Sequence, residues 1–187
     1  MTKIRLIAAF CLAFSPLSVA ADEISDALES AQQAYADGDI QYAIEELDFA
    51  RQRLIALKTD ALGVYLPEAP DGWSREVDSE MGAALGMMGG GAGAEATYRN
   101  ESDGSEYTVT LIADNPMIAG IAGMIGQASL MGIRVERIGR QKFMVQDGEM
   151  TGLIANRILV KVAGDDEDLM KSVLEGMDFR AIANFGN

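Results

Sequence analysis

The chain has 187 residues and a formal net charge of −14, contains no histidine, and has one cysteine, Cys11. Without histidine it cannot form a Ser-His-Asp or Cys-His nucleophile system, and zinc sites that combine His with Cys are excluded as well. The acidic balance disfavours nucleic-acid binding, which needs clustered Lys and Arg to replace phosphate counterions. Paired carboxylates occur by chance in a chain this acidic, so we predict no catalytic residues and a protein that is not an enzyme.

The N-terminal residues have the pattern of an export signal. Lys3 and Arg5 precede an uncharged apolar run over residues 6–14, and Ser18-Val19-Ala20 supplies the small residues that a signal peptidase recognises. We therefore predict that residues 1–20 are a cleaved Sec signal peptide and that the protein is periplasmic. The apolar run is too short to anchor the chain in a bilayer. Loss of Lys3 and Arg5 leaves 13 basic residues against 29 acidic ones, which gives the mature chain a net charge of −16.

Residues 21–65 are predicted to form a hairpin of two helices. The turn is Asp37-Gly38-Asp39, in which glycine supplies a left-handed conformation and Asp39 caps the second helix. Apolar residues of the second helix follow one another at steps of three and four, which indicates one apolar stripe along its length. The members of this stripe are Ile40, Ala43, Leu47, Ala50, Leu54, Leu57 and Ala61.

The region around this turn has the motif Ala34-Tyr35-x-x-Gly38-Asp39-Ile40-x-x-Ala43-Ile44-Glu45-x-Leu47-x-x-Ala50. The motif resembles the middle of a tetratricopeptide (TPR) repeat, a family in which small residues let two helices pack closely and a Gly-Asp pair forms the turn. No second copy of the motif follows, whereas the peptide-binding grooves of that family need several stacked repeats. A packing element is the simpler interpretation of the hairpin, and an interaction surface is the alternative.

Two prolines and a glycine interrupt the helical pattern over residues 66–73, which we predict to be a linker. Residues 74–187 are then a second domain, and Trp73, the only tryptophan, is expected to anchor it to the core. Residues 81–93 are rich in glycine and methionine, and we predict that they form a loosely held loop.

The second domain shows an order of strands, helix, strands and helix. The Asp103-Gly104 and Asp147-Gly148 turns indicate antiparallel pairing, and Gly139 and Gly152 are interpreted as bulges or bends. The pattern predicts an α+β fold in which a mostly antiparallel sheet is covered by two helices. The predicted strands are Ala94–Asn100, Glu106–Ala113, Ile133–Ile138, Gln141–Gln146, Met150–Ala155 and Arg157–Ala163, and the helices begin after Asp114-Asn115-Pro116 and after residues 165–168.

Short motifs at Pro70, Gly72, Trp73 and Ile138-Gly139 accompany this order of elements. Together they resemble the PsbP/Mog1 fold group over roughly residues 70–185, and the whole chain resembles small secreted bacterial proteins of unknown function that join a helical hairpin to such a sheet. The resemblance implies a fold and no activity.

Methionine is the first candidate for a functional residue type. Met117, Met124 and Met131 recur at intervals of seven residues and could share one face of a helix. Thioether sulfur suits Cu(I), so a methionine-based Cu(I) carrier is one hypothesis. Core filling is the commoner use of a helical methionine stripe.

The second candidate is the uncharged segment from Pro116 to Ile133, which contains four glycines and is too polar for a stable membrane span. It is interpreted either as a buried helix that covers the sheet or as a surface for an apolar ligand or a partner, formed together with residues 81–88. We predict a periplasmic, non-catalytic binding protein without a cofactor, whose ligand is a protein partner or an apolar small molecule. The predicted site residues are Met117, Ile121, Met124, Met131, Met87 and Met88.

Overall fold

The computed structural model describes residues 17–78, 81–87 and 90–186, except for the side chains of residues 17–21, 83, 86 and 87. The chain divides into two compact units between Arg53 and Leu54, and each unit is described by itself. The division lies inside the second helix, upstream of the linker that the sequence predicts at residues 66–73. Residues 1–16, which make up most of the predicted signal peptide, lie outside the described residues.

The N-terminal unit contains α1 (Leu17–Asp37) and the first half of α2 (Ile40–Gly63). Gly38 between the helices has a φ of +83°, a left-handed conformation that glycine adopts without strain. The Asp39 carboxylate accepts a hydrogen bond from the backbone N–H of Tyr42 at 3.1 Å and so caps α2. The predicted helical hairpin and its turn are thus confirmed.

Small side chains fill the interface between the two helices. The stripe predicted on α2 is only half covered, because Ala43 and Ala50 are buried whereas Ile40 and Leu47 remain 52% and 51% exposed. A single neighbouring helix covers only part of the circumference of α2, so in this unit the stripe is not one buried face. The buried residues of the unit are Ile24, Ala27, Ala31 and Ala34 of α1 with Ala43 and Ala50 of α2.

The C-terminal unit is built on a seven-stranded sheet in the order β1-β2-β3-β7-β6-β5-β4, with every pair of neighbours antiparallel. The predicted α+β fold is confirmed. The strands are β1 (Trp73–Asp78), β2 (Ala92–Asn100), β3 (Glu106–Ala113), β4 (Arg134–Ile138), β5 (Gln141–Gln146), β6 (Glu149–Ile154) and β7 (Ile158–Gly164). The helices of this unit, besides the end of α2, are α3 (Met81–Met87), α4 (Ile118–Gln127), a 3-10 helix (Ala128–Met131), α5 (Glu167–Gly176) and α6 (Phe179–Ala183).

The end of α2 and the two C-terminal helices pack on one face of this sheet and form the core of the unit. Gly63 of α2 lies close to β2, where a Cβ added to it would be 3.9 Å from the Cβ of Ala94. Trp73 packs at the margin of the core with its ring centroid 5.2 Å from that of Tyr107, as the sequence predicts. The residues that the helices and the segments adjoining them bury in this core are Leu62, Leu66, Met170, Leu174, Met177, Ile182 and Phe185.

The remaining helices also contact the sheet. α3 lies against the other face of β2, because Gly93 alternates with the core residues Ala92 and Ala94 and a Cβ at Gly93 would clash with the Leu85 side chain. α4 contacts β5, and the 3-10 helix contacts β4. The sequence predicts a loop where α3 lies and does not predict β1.

Gly139 and Gly152, both interpreted from the sequence as bulges or bends, have roles that differ from each other. Gly139 lies in a two-residue turn between β4 and β5 with a φ of +59°, and is therefore a turn residue. Gly152 lies in regular register opposite Phe143 and Val160, so its interpretation as a bulge is wrong. A Cβ there would be 2.6 Å from the Phe143 ring, which explains the need for glycine.

The last helix prediction is also confirmed at its N-terminus. The Asp166 carboxylate accepts a hydrogen bond from the backbone N–H of Leu169 at 3.1 Å, and Glu167 and Asp168 occupy the first turn of α5. Across the described ranges of the chain, none of the helices has the length and apolar character needed to cross a membrane.

Candidate functional site

The site begins at the turn between β3 and α4, where the backbone changes direction. Asp114 has a φ of +56°, and the buried Asn115 follows it. The Asn115 side chain donates to the Gly90 carbonyl at 2.5 Å and accepts a hydrogen bond from the backbone N–H of Met117 at 2.9 Å. Because both ends of this amide are bonded, Asn115 fixes the start of α4 against the segment that leads into β2.

The side chains of Lys58 and Arg157 also bind this turn, through Asp114. The Asp114 carboxylate accepts hydrogen bonds from Lys58 Nζ at 2.6 Å and from Arg157 at 3.2 Å. Arg157 also donates to the Phe185 carbonyl and lies over the Phe185 ring. Partial burial acts to raise the pKa of Asp114, but the hydrogen bond and charge of Lys58, together with the charge of Arg157, outweigh it and lower the pKa. The network joins α2, the β6–β7 turn and the C-terminus at the base of α4.

The helix that starts here buries its isoleucines and exposes its methionines. Ile118 is 6% exposed, and Ile121 and Ile125 are partly buried. Four large apolar side chains of this segment remain exposed instead, and we call them the methionine surface. Its members and their exposed fractions are Met117 (52%), Met124 (48%), Leu130 (88%) and Met131 (61%).

Glycines leave the backbone of α4 partly uncovered. For Gly120, Gly123 and Gly126, no heavy atom of the described residues lies within 4 Å of the position that a Cβ would take, apart from the chain neighbours and the backbone of α4 itself. The stretch from Asn115 to Ile133 has no charged residue, although the whole chain has a net charge of −14. A neighbouring molecule could therefore approach the α4 backbone closely without removing any charge from water.

The predicted site residues are distributed over several environments. Met117, Met124 and Met131 lie on the methionine surface, whereas Ile121 is partly buried beneath it. Met87 and Met88 lie outside the part of the chain whose side chains are described. Met81 of α3 approaches β2 at Gly93 rather than opening toward a groove. Sequence reasoning missed Leu130, which lies in the 3-10 helix where the regular helical spacing ends.

The spacing of the methionines gives the Cu(I) hypothesis no support. Seven residues of α-helix advance about 10 Å along the axis, so Met117, Met124 and Met131 extend over roughly 20 Å of helical path. Three sulfur atoms so far apart do not surround one ion. No group of three or more His, Cys, Asp or Glu side chains that could hold a metal ion occurs among the described residues.

Comparison of the chain with models of known protein families, with curated proteins and with solved structures finds no match. The resemblances to a TPR hairpin and to the PsbP/Mog1 fold group therefore stay predictions.

Proposed function

We propose that the protein is exported to the periplasm and acts there as a non-catalytic binding protein, using the methionine surface of α4 to hold an apolar segment of a protein partner. The single observation that carries the proposal is the exposure of four large apolar side chains, 48% to 88% each, on a segment of 19 uncharged residues. Contiguous exposed apolar side chains are typical of interaction sites.

Methionine suits such a surface for a physical reason. Its unbranched, polarizable side chain adapts to differently shaped partners, and it is over-used on surfaces that bind several ligands. Gly120 is three residues after Met117 and four before Met124, so it lies on the same side of α4, and its open Cβ position would let a partner backbone come close. The surface is the outward side of a helix rather than an enclosed cavity, which favours a protein segment over an apolar small molecule.

Site-specific photo-crosslinking in the native cell envelope tests the proposal. A photoreactive amino acid placed at Leu130 should give discrete protein adducts, whereas the same group at Val64, which is 82% exposed in the turn after α2, should not. Met124→Gln with Met131→Gln should suppress the adducts, because glutamine keeps the side-chain length and removes its apolar character. Equal labelling from both positions would contradict the proposal.

A second arm distinguishes a small ligand from a protein. Delipidated protein is mixed with a solvatochromic dye, and the same double variant serves as the control. If Leu130 gives no protein adduct while the dye binds the wild-type protein and not the variant, the surface binds apolar small molecules and the protein-partner proposal is wrong.

A further inference from the structure

The β4–β5 hairpin concentrates positive charge in a chain whose net charge is −14. Residues 134–146 contain four basic side chains and a single acidic one. Arg134 is already paired, because its guanidinium contacts Glu136 at 3.9 Å and also Glu167 of α5. The other three basic side chains are exposed and form no ion pair or hydrogen bond with the described residues. They are Arg137, Arg140 and Lys142, and we call them the cationic tip.

Two members of the cationic tip lie side by side on the sheet. Arg137 and Lys142 are register partners in the β4–β5 ladder, and the Cβ atoms of directly opposite residues in antiparallel strands are about 4.5–5.5 Å apart. Each of them precedes a core residue in its strand, Ile138 or Phe143, so both point to the face of the sheet away from the core. Arg140 lies in the two-residue turn that closes the hairpin. The three cations are thus gathered at the turn end of the sheet's edge hairpin.

The acidic side chains of the neighbouring elements are directed elsewhere. Glu136 alternates with Arg137 along β4, so it lies on the core side, where it contacts Arg134. Glu149 of β6, the strand next to β5, pairs with Lys161 at 3.1 Å. The 3-10 helix and α4, which contact β4 and β5, have no charged residue. Like charges directly opposite one another destabilise a strand pair, and a bound anion would remove that repulsion.

Charge and size identify the anion that suits the cationic tip. Guanidinium groups form bidentate hydrogen bonds with phosphate, and three cations match a group that has more than one negative charge. A phosphate monoester has a charge of about −1.5 to −2 at pH 7 and three acceptor oxygens. The chain as a whole has a net charge of −14, so an extended polyanion such as a nucleic acid or an anionic membrane is repelled wherever it reaches beyond the tip.

A second copy of the chain is a poorer match for the cationic tip than a small molecule. Its acidic surface would have to contact the tip of the first copy, and a contact between two different surfaces repeats from copy to copy into a ring or a filament. A compact phosphate ester touches the tip alone and needs no such assembly.

We propose that the cationic tip binds the phosphate group of a small soluble phosphate ester. Arg137 and Arg140 donate hydrogen bonds to the phosphate oxygens through their guanidinium N–H groups, and the Lys142 ammonium adds a third positive charge. The bound anion offsets the repulsion between Arg137 and Lys142. The site uses residues other than the methionine surface, so either proposal can fail without the other.

Titration of the isotope-labelled full chain with glycerol phosphate, followed by NMR, tests the inference. The backbone amides of residues 137–142 should shift in a saturable way, whereas glycerol with sodium chloride at equal ionic strength should leave them in place. Arg137→Gln should weaken binding about tenfold or more, because charge-assisted hydrogen bonds are lost. Arg51→Gln is the matched control, since Arg51 is also an exposed arginine without an ion pair among the described residues and lies in the N-terminal unit. It should leave the affinity within about twofold.

Stability without ligand gives a second readout. Lys142→Gln removes one of two directly opposed like charges, so it should raise the urea midpoint of the free protein while it weakens binding of glycerol phosphate. A lower midpoint would show that the cations serve the fold, and would overturn the proposal.

Other occupants of the cationic tip give different outcomes. Equally tight binding of succinate, a compact dicarboxylate, would overturn the assignment to phosphate. Binding to phosphatidic acid vesicles that Arg137→Gln abolishes would assign the tip to a lipid surface, and a wild-type dimer that the same variant dissociates would assign it to a second copy. Either result, or the absence of saturable shifts at residues 137–142, would overturn the proposal.

Discussion

Gly152 of β6 lies directly opposite Phe143 of β5, and the Phe143 ring occupies the space that a Cβ at residue 152 would need. The ring is fully buried and packs against Phe179 at a centroid distance of 5.7 Å. A glycine in the middle of a strand is therefore part of the core packing here. The α5–α6 side of the core depends on it.

Replacing Gly152 with alanine should destabilise the fold. The added methyl group would lie 2.6 Å from the ring and 2.9 Å from the Lys142 carbonyl oxygen, so the ring or the strand must move. We expect the free energy of unfolding, measured by urea denaturation, to fall by about 2–3 kcal/mol. A value within the error of the wild type would show that the pocket has room that the geometry does not indicate.

Replacing Gly120 with alanine should stabilise the fold, in contrast to the change at Gly152. The Cβ position of Gly120 is open among the described residues, and alanine has the higher helix propensity. The free energy of unfolding should rise by about 0.5–1 kcal/mol, while the photo-crosslinking yield at Leu130 should fall because the methyl group keeps a partner away from the α4 backbone. Lower stability would mean that the α4 backbone is packed more tightly than described.

These glycines show which features a single sequence reveals. The Asp147-Gly148 turn was predictable because its two positive φ angles, +52° and +76°, are a local requirement that few residues meet. The role of Gly152 could not be predicted, because it depends on the Phe143 ring, which lies on the neighbouring strand. β1 was missed for a similar reason, because only Trp73 and Val77 are apolar there and its pairing with β2 defines the strand.

The residues that make up the candidate site could be predicted from the sequence, but which of their side chains are exposed could not. An uncharged segment with three methionines at a spacing of seven can be seen in the sequence. Whether Met124 or Ile121 faces the sheet depends on how α4 leaves the turn at Asp114, which is fixed by distant residues such as Lys58 and Arg157. The same limitation applies to the stripe on α2, whose exposed half was predicted as part of one continuous face.

Asp114→Asn should weaken the C-terminal unit in a pH-dependent way. Asparagine also tolerates a positive φ, so the substitution removes the charge and leaves the backbone conformation accessible. Because the pKa of Asp114 in the folded protein lies below its ordinary value of 3.8, its stabilisation is present above that value and is lost as the pH falls through the lowered pKa. We expect a loss of about 1 kcal/mol at pH 7 that disappears in acid.

Lys58→Met provides the partner for a double-mutant cycle. Lys58 and Asp114 are in direct contact at 2.6 Å, so their effects on the free energy of unfolding at pH 7 should be less than additive. Additive effects would show that the ion pair does not form in solution. The cycle repeated at low pH should give no coupling, since the carboxyl is then neutral.

Tyr98 gives a prediction at the alkaline end of the pH range. Its ring is fully buried and stacks on Tyr107 at 4.6 Å, and its hydroxyl donates to the Pro67 carbonyl at 2.5 Å. Burial raises the pKa of Tyr98 to about 12, from an ordinary value of 10.0. Burial raises the pKa of Tyr107 as well, so an absorbance titration should show two tyrosines that ionise later than the others.

The sign of the linkage makes Tyr98→Phe informative. A raised pKa means that the neutral phenol is favoured in the folded state, so its stabilisation is complete below pH 10 and is lost as the pH rises toward 12. At pH 7 the variant should lose about 1 kcal/mol, because the Pro67 carbonyl loses its donor. Urea denaturation at increasing alkaline pH should show this difference shrinking and then reversing, since phenylalanine cannot ionise. A difference that stays constant up to pH 12 would mean that Tyr98 ionises in the folded protein as readily as in the unfolded chain.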